Sequence, residues 1–146
     1  MPRLSTWLVR VSLVCLVAGA LLGAALLSAP ATPALRGLER LVPAHVELML
    51  VGWLVQLAMG VAYWILPRAG GDRPASGLAG AGAAGVAVGL AAAVAGTAAA
   101  MPRLVTVGRA LELAGAALFG LHVVIRLGRW RRLDLARRAS LQVTRD

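Results

Sequence analysis

The sequence predicts an all-α fold, an integral membrane four-helix bundle forming one domain, and three observations carry that prediction. Four apolar segments, near 7–27, 44–66, 77–100 and 104–127, each hold about the 20 residues that a helix needs to cross the hydrocarbon core. The composition is 60% hydrophobic, with a mean hydropathy of +0.81, well above that of an ordinary soluble domain. A length of 146 residues suits a single folding unit.

Charge fits the same class. The net charge of +9 comes from 15 basic residues, all of them Arg, placed in loops, helix ends and the tail. The Arg clusters lack the repeated interleaving of base-stacking aromatics usual in single-strand binders, so a membrane topology signal is expected and a nucleic-acid partner is not. Cys15 is the only cysteine, which excludes an intrachain disulfide; inside an apolar run it reads as a small buried side chain.

The first segment follows Arg3 and Arg10 and ends near Ala29-Pro30-Ala31. The small residues there imitate a signal-peptide cleavage site, but the apolar run is long and Pro30 is unsuited to cleavage, so an uncleaved anchor is expected. The loop 28–43 holds Pro30, Pro33, Pro43 and the stretch LRGLERL, which predicts an interfacial helical turn with Arg36 and Arg40 towards water. Pro43 then opens the second helix, where a missing N–H costs little. A short flexible loop is expected at 67–76.

The third segment is nearly all Gly and Ala. Its spacing Gly85-xxx-Gly89-xxx-Ala93 predicts close backbone approach to another helix, either within the bundle or at a dimer face. The fourth carries Arg109 and Glu112 near its outer end and His122 near its inner end. A basic tail, 128–146, follows it, with Arg129, Trp130, Arg131, Arg132, Arg137 and Arg138 suited to anionic headgroups. With both termini on one side, eleven Arg fall there and four (Arg36, Arg40, Arg103, Arg109) opposite, which predicts cytoplasmic termini. Trp7, Tyr63, Trp64 and Trp130 are expected at that same interface.

Polar groups in hydrocarbon are costly, so the second segment draws functional interest. His45, Met49, Gly52, Gln56, Gly60 and Trp64 recur at intervals of three or four and are expected on one face, with the glycines keeping it low enough for a flat ligand such as a porphyrin. His45 and His122 should lie roughly 25 Å apart in depth, too far to share one iron. Arg109 and Glu112 should lie level with His45 and Glu47. Each histidine also has a plainer reading, as an interfacial imidazole with one nitrogen in water.

The order His45, Met49, Gly52, Gly60, Tyr63 and Pro67 resembles the second transmembrane helix of the catalytic subunit of haem-copper oxidases and nitric oxide reductases. In that family the histidine at the outer start of this helix is an axial ligand of the low-spin haem. The resemblance therefore implies haem b ligated by His45; the shared face would put Met49, Gly52 and Gly60 beside it, and depth would put Arg40 and Arg109 near its propionates. It implies respiratory electron transfer or an accessory role in a bacterial inner-membrane complex, or as a homo-oligomer. The sequence has no His-His pair and no His-x-x-x-Tyr, so oxygen or nitric oxide reduction by this chain alone is not expected. The alternatives are a cofactor-free scaffold or assembly subunit, and a small proton-coupled transporter using Glu47 or Glu112.

Overall fold

The computed structural model describes residues 1–66 and 76–143, with side chains to 138. Pro67, Arg68 and Arg73 of the expected loop, and Arg145 of the tail, lie outside the described residues. The architecture is all-α. Four helices are long and apolar enough to cross a membrane, as the hydropathy predicts.

Helix α1 runs Arg3–Ser28 and presents Ser5, Leu8, Ser12, Cys15 and Gly19 to the interior. These recur at alternating intervals of three and four, the seam period of left-handed helix pairs. The expected turn follows as three short 3-10 stretches, Ala29–Ala31, Pro33–Leu35 and Leu38–Leu41. Arg36 and Arg40 are exposed there.

Helix α2 occupies 42–65, in three stretches: α-helical Val42–Glu47, a π-helical segment Leu48–Val55, and α-helical Gln56–Ile65. Pro43 lies in its first turn. The π segment widens the winding, which corrects one register expectation: Trp64 leaves the shared face and is 51% exposed. Met59 and Tyr63 take the interior positions instead.

Helix α3 is Ser76–Ala98 and helix α4 is Pro102–Val143. Helix α4 continues unbroken beyond 127 into the basic tail, described to Val143. Its 42 residues make a rod of about 63 Å, twice the thickness of the hydrocarbon core. Beyond Leu127 the apolar pattern fades, but no Gly-Pro signal stops the helix.

The antiparallel pair α3/α4 is built on glycine. A Cβ on Gly89 would stand 2.6 Å from the Gly108 carbonyl oxygen, and one on Gly82 would stand 2.7 Å from that of Gly115. Gly85 lies over the Gly115 α-carbon, and Gly108 abuts the Ala93 backbone. The small-residue spacing thus serves close approach within the chain, as predicted, and α4 answers it with its own Gly108 and Gly115.

The link between α3 and α4 is short. Ala100 adopts φ +55°, and the Met101 N–H donates to the Gly96 carbonyl at 2.8 Å, closing a left-handed C-terminal cap before Pro102. A Cβ in this conformation costs roughly 1 kcal/mol that glycine avoids. Ala100→Gly should therefore stabilise the bundle by about that amount, read as a higher melting temperature in detergent. An unchanged or lower value would show that the cap does not limit stability.

Candidate functional site

Glu47, Arg109 and Glu112 come together at the end of the bundle opposite Arg3, with His45 on the neighbouring α1-facing side of α2. Arg109 Nε donates to Glu47 Oε1 at 3.0 Å, with the Arg109 side chain 56% exposed and that of Glu47 12%. Glu112 is buried, its stem pressed against Gly89 and its Oε1 without a protein partner. The Glu112 carboxylate adjoins Glu47 and Arg109, so the three ionisable groups form one cluster.

His45 is held by α1. Its Nδ1 lies 2.9 Å from the Gly19 carbonyl oxygen. A carbonyl only accepts, so Nδ1 carries a proton; in the neutral ring Nε2 then keeps its lone pair, the tautomer suited to an Nε2 metal ligand. The ring rests against Gly23, where a Cβ would stand 2.8 Å from its Cε1. One turn on, Met49 Sδ occupies the space over Gly19, 2.6 Å from where a Cβ would be.

Below this, Gly52 meets Cys15 and Leu90, and Gly60 meets Leu8, Val9 and the Ser5 carbonyl. Ser5 Oγ donates to the Gly60 carbonyl at 2.7 Å. His45, Met49, Gly52 and Gly60 do share a face, but α1 fills it. As a porphyrin bed this strip does not fit, since the low surface over both glycines already holds α1 side chains. The imidazole itself does fit an iron ligand. Among the described residues, no three His, Cys, Asp or Glu side chains gather as a metal-binding group.

Arg109 also lines an outer pocket of about 460 Å³ with Pro43, Gly96, Thr97, Met101 and Val105. His45 does not line it. Gln56, fully buried at mid-depth, has neither amide atom bonded to the protein. An amide so placed needs water or a ligand to satisfy it.

At the opposite end His122 is fully buried, not the wetted interfacial imidazole that its position suggests. Its ring stands 5.5 Å from Tyr63 and 6.0 Å from Phe119, centroid to centroid. Arg126, also fully buried, donates to the Tyr63 carbonyl at 3.2 Å and to the Leu66 carbonyl. It therefore caps the negative end of α2 from α4. The heptad spacing Gly108, Glu112, Gly115, Phe119, His122, Arg126 places this cluster in the bundle and signals it in the sequence. The small series Cys15-xxx-Gly19-xxx-Gly23, which seats Met49 and His45, was missed, although its spacing of four is the signal that could have found it. In comparisons with known proteins, the chain matches no family model, no curated protein and no solved structure.

Proposed function

We propose that the chain is a membrane-embedded haem protein in which His45 Nε2 is an axial ligand of haem b, serving electron transfer or an accessory role in a respiratory complex. The observation that supports this reading is the Nδ1–H bond from His45 to the Gly19 carbonyl, which fixes the tautomer and aims the ring. The haem would supply one-electron redox chemistry. Gly19 and Gly23 hold the imidazole in place, and Arg109, clamped by Glu47, offers positive charge at the same level for propionates. Arg40 adds a second cation at that end.

Because α1 covers Gly52 and Gly60, the ring belongs at the half-exposed edge of His45, with its second face closed by another subunit or a second copy of this chain. The reading therefore includes an oligomer or a larger complex. The Arg distribution supports insertion in a bacterial inner membrane with both termini cytoplasmic. Reporter fusions after Ala75 and after Asp146 should both behave as cytoplasmic, and one within 31–37 as external; an external C-terminus overturns the orientation.

The test of function is the absorption spectrum of the purified protein, expressed with ample haem and then reduced. A sharp α band is expected. A colourless protein would leave the oxidase likeness architectural and make a cofactor-free scaffold the better account.

A further inference from the structure

We infer that the outward face of α1 is a binding site for one anionic phospholipid, with the headgroup between Arg3 and Arg10 and the acyl chains along Leu13–Leu21. Arg3, Thr6, Trp7 and Arg10 are spaced three, four and seven apart and so share one side of the helix. With Met1 they line a groove of about 290 Å³. Among the described residues neither Arg has a carboxylate partner, since the two ion pairs found are Arg109 with Glu47 and Arg138 with Asp134. Two uncompensated guanidinium groups flanking a groove are complementary to a phosphate diester.

The same side of α1 continues into an apolar groove of about 440 Å³ lined by Leu13, Val14, Val17, Ala18 and Leu21. Leu21 and Val14 are 68% and 67% exposed, so no other described part of the chain covers it. From Arg10 to Leu21 the helix rises about 16 Å, close to half of the roughly 30 Å hydrocarbon core, the depth of one leaflet's chains. Trp7, 43% exposed, stands within the charged groove between Arg3 and Arg10, at headgroup level, where an amphipathic ring is favoured. A free phosphate would use only the first groove. The head-to-tail sequence of two grooves on one face is what selects a lipid.

Native mass spectrometry of the detergent-solubilised full chain, titrated with phosphatidylglycerol or phosphatidylcholine, tests this. Phosphatidylglycerol should be retained in preference. Arg3→Gln with Arg10→Gln should weaken its retention on the order of 10- to 30-fold, because each cation near a membrane surface contributes several-fold to anionic-lipid affinity. Arg36→Gln with Arg103→Gln, the same charge change at the opposite end, should leave retention unaltered. Equal melting temperatures without lipid would establish that both double variants are folded. Unchanged retention in the first double variant overturns the site. Displacement of the lipid by an equal concentration of glycerol phosphate overturns the lipid as its ligand.

Discussion

Gly89→Leu should abolish the folded bundle, and Gly89→Ala alone should destabilise it by about 2 kcal/mol or more, in the range of an overpacked core. The reason lies in what the added carbon meets. It would stand 2.6 Å from the Gly108 carbonyl oxygen and 2.7 Å from the Glu112 nitrogen, both backbone atoms of α4 that cannot rotate aside. The helices must separate, and the short link at Ala100 limits where α4 can go. A graded series makes the argument quantitative. Gly85→Ala should cost less, since its Cβ would lie 3.1 Å from the Gly115 α-carbon. Gly80→Ala, with nothing within 4 Å, should be neutral or gain up to about 1 kcal/mol from helix propensity. Thermal melting and size-exclusion chromatography in detergent read the series. If Gly89→Ala melts with Gly80→Ala, the seam between α3 and α4 is not where the structure puts it.

His45→Ala should remove the α band completely, because the imidazole supplies the axial bond itself. His122→Ala should leave the band in place, since that ring is wedged between Tyr63 and Phe119 at the far end of the bundle. Gly23→Leu is the more discriminating variant. It keeps the ligand but occupies the space in which the ring lies, so the band should weaken while His45 remains in the chain. Arg109→Ala or Arg40→Ala should shift the potential modestly, as groups outside the iron's ligand set do. A band of full intensity in His45→Ala would sink the assignment.

Much of this arrangement was legible in the sequence. Segment length and hydropathy give the four helices, and the 1.5 Å rise places Glu47 and Arg109 at one depth, where they pair. What the sequence hides is direction. Period alone groups His45, Met49, Gly52 and Gly60, but it does not say whether a cofactor or a neighbouring helix lies over them. The answer is in α1, where Ser5, Ser12, Cys15, Gly19 and Gly23 are scattered among larger apolar residues and read as an ordinary membrane anchor. His122 and Arg126 mislead for a related reason. Both stand near an expected interface, yet the heptad continues past Phe119 and turns them inward, where α2's terminal carbonyls receive the guanidinium. The π segment leaves no composition signal in Leu48–Val55, so the departure of Trp64 from the face follows only from the coordinates.

That π segment sets the angle between the two halves of α2. His45 meets Gly23 at one end and Gly60 meets Leu8 at the other, and the extra winding between them reconciles both contacts. Adding or deleting one residue within 48–55, with the wide winding kept, would turn one half against the other by somewhat less than the roughly 100° of an ordinary helical residue. The chain would then have to give up either the imidazole's notch or the serine-glycine clasp near the opposite end. Insertions and deletions in this short stretch are therefore the changes that should uncouple ligand geometry from fold, a phase error rather than a packing defect.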